Sequence, residues 1–281
     1  MSELEALLLG IVQGLTEFLP ISSSGHLILV PWLQDYTFLE THESFNKTFD
    51  VALHAGTLVA VLSYFRRDIV EILAGLWRSL RRRAIEAPEE RLGWALVVGT
   101  IPAVIAGGLG EDWIDDNLGE PWMIGILLIV FGLVLGFADR LPQQRSLERV
   151  TLRDGVYVGL AQVLSLAPGV SRSGITISAG RFLRLDRDTA ARLSFLLLAP
   201  ATAGAVVVKA HEAITEGLPD GVAGPIIVGT IASAISGYLA IAWLLALVRR
   251  HSYDAFVLYR VLAGLTVLTL IATGVRSATF G

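Results

Sequence analysis

Six stretches, at about 49–65, 92–110, 121–138, 190–208, 224–248 and 254–275, are dominated by Leu, Ile, Val, Ala and Gly and carry few charges. Each is close to the roughly 20 residues that a helix needs to cross a hydrocarbon layer about 30 Å thick. Backbone placed there must satisfy its own polar groups, which leaves helices or closed barrels. None of the six alternates apolar and polar residues in the way barrel strands do, so helices are predicted. The expected fold class is an all-α polytopic membrane protein, with residues 1–281 forming a single membrane domain.

Composition agrees, with 53% hydrophobic and 17% charged residues, a balance unlike that of a soluble domain. The absence of cysteine excludes disulfides, thiol catalysis and thiolate metal sites. Nothing predicts a nucleic-acid partner. Residues 1–30 have Glu3 and Glu5 where a signal peptide has basic residues, and are read as retained structure.

The charges are segregated. Arg66, Arg67, Arg78, Arg81, Arg82, Arg83 and Arg91 lie between the first two spans, whereas the next connection holds Glu111, Asp112, Asp115, Asp116 and Glu120 without Lys or Arg. Arg140, Arg145, Arg149 and Arg153, then Arg181, Arg184, Arg187 and Arg192, then Arg249 and Arg250 fall on the same side as the first cluster, while Lys47 and Lys209 fall opposite. Basic loops stay in the cytoplasm. Both termini are therefore expected on the outer face.

Two segments do not fit a simple span: Gln13-Gly-Leu-Thr-Glu17-Phe-Leu-Pro-Ile-Ser22-Ser-Ser-Gly-His26 and Pro168-Gly-Val-Ser171-Arg-Ser-Gly174. Residues 3–18 make about 24 Å of helix at 1.5 Å per residue before Pro20 and the serines break it. Laying Gly10 on Gly159 also lays Gln13 on Gln162 and Ser22-Ser23-Ser24-Gly25 on Ser171-Arg172-Ser173-Gly174. This predicts two repeats, about 1–140 and 150–281, each with one re-entrant hairpin followed by three spans. Three is odd, so the second copy runs inverted, with the hairpins entering from opposite faces and their tips meeting.

Charged residues at such depth are functional by default. Gln13 and Glu17 share a helix face and offer hard oxygen ligands for a divalent cation, Mg²⁺ or Ca²⁺; the alternative is a Glu17–Arg172 pair with a structural role only. Arg172, with the hydroxyls of Ser171 and Ser173 and the N–H groups around Gly174, suits an anion; the alternative is helix capping. Ser22, Ser23 and Ser24, ahead of Gly25, are either N-caps or include a nucleophile. His26 then serves as acid or base, or as a polar core residue. Thr176 is a cap or a phosphate ligand, and for His54 a structural role is preferred. Gly125, Gly132 and Gly136 permit close helix approach, in a homodimer or within one chain.

On these residues the chain resembles the undecaprenyl-diphosphate phosphatases, the bacitracin-resistance family of bacterial inner membranes. The segments from Gly14 to His26 and from Pro168 to Ile177 resemble the two family signatures, and Phe49–Gly56, Ile101–Val104, Ser194–Leu198 and Tyr259–Gly264 resemble further family stretches. The resemblance implies a multi-pass inner-membrane enzyme that hydrolyses an isoprenyl diphosphate lipid to the monophosphate carrier reused in peptidoglycan synthesis. It implies Glu17, Ser23, His26 and Arg172 as catalytic residues. Ser22, Ser24, Gly25, Ser171, Ser173, Gly174 and Thr176 are then expected on the substrate, and Gln13 with Glu17 on the metal. The family pair is written Glu/Gln-x-x-x-Glu, and Gln13 removes one negative charge from that metal site. A prenyl-phosphate flippase using the same anion site is the competing class.

Overall fold

The computed structural model describes residues 1–34, 43–216 and 222–279; the side chains of Lys47, Glu111, Asp112, Asp115, Asp116 and Lys209 lie outside what it describes. Among the described residues there are eleven α-helices: α1 Glu3–Phe18, α2 Ser23–Gln34, α3 Glu43–Tyr64, α4 Arg66–Arg82, α5 Pro88–Asn117, α6 Pro121–Asp139, α7 Leu152–Val163, α8 Arg172–Phe182, α9 Arg187–Glu216, α10 Ala223–Val248 and α11 Asp254–Ala272. The chain is an all-α polytopic membrane protein.

Five helical segments are long and apolar enough to cross a membrane by themselves: Pro88–Gly110, Pro121–Asp139, Arg187–Val207, Ala223–Val248 and Asp254–Ala272. The first expected span, 49–65, falls on α3, which is followed by α4 after a bend of 81°. Outward faces are apolar, as lipid contact requires: Ile126, Val130, Leu133 and Phe137 line one side of α6, and Ile227, Ile231, Ile235 and Leu239 one side of α10.

The two broken helices begin alike. Ser2 and Glu5 form a capping box at the start of α1, and Thr151 and Asp154 form one at the start of α7. Each box ties two otherwise orphaned helix N–H groups. Arg145 adds a bidentate pair to Asp154, at 2.9 and 2.5 Å.

Each first helix is then gripped by a span from the other half. α1 packs on α10, and α7 packs on α5. Backbones touch at both crossings: a Cβ at Gly10 would run into the Gly229 backbone, and one at Gly159 into the Gly99 backbone. Small residues at the crossing permit that approach in the absence of a hydrophobic drive between helices. α3 against α9 and α6 against α11 complete the bundle. Gly125 meets Gly264 and Leu268, Gly132 meets Arg260, and Gly136 meets Val257, so these three glycines serve packing within the chain.

The base of the second hairpin is locked by ion pairs. Asp139 holds Arg187 at 2.6 and 2.9 Å and accepts the Tyr253 N–H. The fully buried Arg181 donates to the carbonyls of Asp139, Leu141 and Leu185. Buried charges persist only when so paired.

Candidate active site

α1 stops where sequence dictates. Pro20 disfavours helical geometry at Leu19, which is extended (φ −70°, ψ 140°), leaving Glu17 on the last turn. α2 starts at Ser23 and α8 at Arg172, each preceded by a serine with positive φ: Ser22 at 79° and Ser171 at 74°. Such non-glycine conformations cost about 1–3 kcal/mol each and persist where their surroundings over-determine them. Both serines are helix caps, with Ser22 Oγ accepting from the Gly25 N–H at 3.3 Å and Ser171 Oγ from the Gly174 N–H at 3.1 Å.

The two tips meet. Ser22 Oγ also accepts from the Gly169 N–H at 3.0 Å, and Ser173 Oγ donates to the Leu19 carbonyl at 2.9 Å. Phe18 sets its ring edge-on to Phe195, centroids 5.3 Å apart. Arg260, fully buried on α11, clamps the junction. Its guanidinium donates to Pro20 O in the first tip at 3.1 Å and to Gly169 O and Val170 O in the second at 2.8 and 3.0 Å. Its Nε reaches Leu128 O on α6 at 3.1 Å.

At the junction Glu17 collects four partners. Arg172 donates to Oε1 from Nη2 at 2.9 Å and from Nε at 3.3 Å. Oε2 accepts from Ser23 Oγ at 2.6 Å and from Gln13 Nε2 at 3.0 Å. His54 Nε2 lies 3.7 Å from the same oxygen. Glu17 is buried while Ser23 and Arg172 are half-buried, so the Ser23 hydroxyl and the Arg172 guanidinium are more exposed than the carboxylate they share. Arg172 Nη1 donates to Ser194 O at 3.1 Å. Three of the five guanidinium N–H groups are thus used among the described residues.

The other expected residues divide. Ser22, Ser171 and Ser173 are buried with their hydroxyls engaged as above, and the buried Thr176 hydroxyl donates to Arg172 O and is hydrogen-bonded to Ser194 Oγ, both at 2.7 Å. Gly25 and Gly174 are buried, with their N–H groups on the caps. Ser24 is half-buried on the first turn of α2. His26 donates from Nδ1 to Ser22 O at 2.6 Å, and its Nε2 faces the Tyr259 hydroxyl at 2.6 Å. The hydroxyl of Ser23 is therefore hydrogen-bonded to Glu17 and not to His26.

Gln13 Oε1 is buried and has no hydrogen-bond partner among the described residues. An orphaned carbonyl oxygen beside a carboxylate fits a hard divalent cation, the more so because such ions take much of their coordination from substrate phosphate and water. Among the described residues no group of three or more His, Cys, Asp or Glu side chains assembles a full protein cage.

Sequence reasoning named Tyr259, Arg260 and Ser194 only as parts of family-like stretches, gave them no role, and preferred a structural role for His54. The signal for Arg260 was present: a lone cation inside an apolar span is a functional-site candidate by itself.

Fold and site together define a polytopic membrane protein in which two broken helices meet at a Glu17–Arg172 pair. Residues 6–266 match the bacitracin resistance protein BacA family, and the chain belongs to it. It is 49% identical over 273 residues to the undecaprenyl-diphosphatase of Geobacter sulfurreducens, covering 96% of this chain and 99% of that one. It is 44% identical over 277 residues to that of Pelobacter propionicus, covering 98% and 99%. To that of Thermomicrobium roseum it is 46% identical over 280 residues, covering 95% and 98%.

Proposed function

We propose that this chain hydrolyses undecaprenyl diphosphate to undecaprenyl phosphate and inorganic phosphate, regenerating the lipid carrier of peptidoglycan synthesis. The observation that carries the mechanism is the 2.6 Å hydrogen bond from Ser23 Oγ to a Glu17 whose other oxygen holds Arg172. A hydroxyl is a poor nucleophile until a base takes its proton. In this reading Ser23 Oγ attacks the terminal phosphorus while its proton passes to Glu17. The bond from that phosphorus to the bridging oxygen breaks, and undecaprenyl phosphate leaves. Water then attacks the phosphoserine, inorganic phosphate departs, and the proton on Glu17 returns to Ser23 Oγ.

Arg172 stabilises charge on the transferred phosphoryl group, a role worth about 10²–10³ in rate for one well-placed donor. His26 and Tyr259 form a second proton-handling pair, assigned to the leaving-group side. Gln13 Oε1 and Glu17 would hold a divalent ion, Mg²⁺ or Ca²⁺. When bound, that ion neutralises phosphate charge.

The two repeats, about 1–140 and 150–281, are related by an inverted axis, a reading supported by the matched capping boxes, the matched glycine crossings and the matched positive-φ serines. The protein resides in the bacterial inner membrane with both termini outside, as the arginine distribution supports. The test is phosphate release from a prenyl diphosphate by purified protein in detergent, with no gradient across a membrane. Metal-dependent release that disappears with Glu17→Ala and Arg172→Ala supports the hydrolase. Movement of prenyl phosphate between leaflets without release would support a carrier instead.

A further inference from the structure

α4 presents three faces rather than two. Ile72, Gly75 and Ser79 are buried toward the protein, where Gly75 meets Glu89 of α5 and Ser79 Oγ accepts from Trp94 Nε1 at 2.9 Å. Val70, Leu73, Trp77 and Leu80 recur at helical spacing on a second side and are 65%, 59%, 64% and 56% exposed. The third side carries Arg67, Arg78, Arg81 and Arg82, all exposed. An apolar stripe this prominent is costly in water. It is not needed for packing either, since the contacts with α5 use the other side.

The geometry says what covers it. α3 runs with the bundle of spans, and α4 leaves it at 81°. A helix turned that far from a span lies along the membrane surface, on the face where the arginines of the chain gather. There its apolar side meets acyl chains and its basic side meets headgroups, and Trp prefers this boundary. Arg78 and Arg82 are engaged by Glu89, Glu86 and Glu90. Arg67, Arg81 and Arg83 have no carboxylate partner among the described residues and remain available to phosphate. We propose that α4 is a lipid-binding element, seated in the membrane interface by Val70, Leu73, Trp77 and Leu80 and recognising anionic phospholipid headgroups through Arg67, Arg81 and Arg83.

The proposal is independent of the catalytic reading. It is tested by reconstituting the full chain in phosphatidylcholine vesicles doped with brominated phosphatidylcholine or brominated phosphatidylglycerol, and measuring tryptophan quenching. The difference between wild type and Trp77→Phe isolates Trp77. Brominated phosphatidylglycerol is expected to quench that increment at several-fold lower mole fraction. Substituting Arg67, Arg81 and Arg83 by Gln should bring the two lipids level, because the three cations together supply that several-fold preference at the membrane surface. If Trp77 contributes nothing to quenching by either lipid, the seat is wrong. If the two lipids quench wild type equally, the headgroup recognition is wrong. Neither reading needs the arginine variant to fold, because both compare wild type with a conservative Trp77 change.

Discussion

Arg172 donates to Glu17 across 155 positions of sequence, Nη2 to Oε1 at 2.9 Å, and so joins the tip of one broken helix to the tip of the other. Both charges sit among apolar spans, where either alone is costly and the pair is tolerable. The same pair leaves Glu17 Oε2 for Ser23 and Gln13. Assembly of the site and closure of the two tips are therefore one event.

Removing one partner should hurt more than removing both. Glu17→Ala leaves the Arg172 guanidinium unpaired and is expected to destabilise by about 3–5 kcal/mol, read as a fall in Tm in detergent. Adding Arg172→Met should recover much of that loss without recovering activity.

Ser23→Ala is expected to lower phosphate release by at least about 10², the lower range for losing a positioned proton-transfer partnership. Wild type quenched with acid during turnover should yield phosphoserine at position 23. Near-normal turnover by Ser23→Ala would assign the attack to water held by Glu17.

Arg260 is expected to be a clamp. Arg260→Met strands the carbonyls of Pro20, Leu128, Gly169 and Val170, and each buried unsatisfied group costs about 1–3 kcal/mol. A Tm drop larger than that of any surface Arg→Met change should result. Arg260→Lys, with three donors in place of five, should recover part of the stability.

Glycine substitutions should separate by location. Gly10→Leu and Gly159→Leu place a side chain against backbone at the two crossings, with overpacking costs of about 1–3 kcal/mol or more. Gly108→Ala, with nothing among the described residues within 4 Å of the added carbon, should be neutral or raise Tm, because Ala suits a helix better than Gly by about 0.5–1 kcal/mol. Thermal unfolding of the three variants side by side checks this.

Much of the architecture was legible because membrane spans are written in composition, and the two breaks in proline, serine and glycine. Five spans fell where the apolar runs are. The first falls on α3, and the 81° turn that follows Tyr64 is not something local hydropathy encodes. Gln13, Glu17, Ser23 and Arg172 were identifiable as polar groups on the two tips, and they meet. The serine roles were harder to separate. Ser22 and Ser23 are neighbours of identical chemistry, and only the positive φ at Ser22 turns one into a cap and the other toward Glu17. Tyr259 and His54 reach the site from helices remote in sequence, so local motif reading had no means of placing them beside His26 and Glu17.

The central claim is that Glu17 and Arg172 work as one unit on the diphosphate. Initial rates of phosphate release for wild type, Glu17→Gln, Arg172→Met and the double variant measure that directly. The account predicts that each single change removes most of the rate and that the double variant is little slower than the slower single. Losses that multiply, or an Arg172→Met enzyme close to wild type, would contradict it.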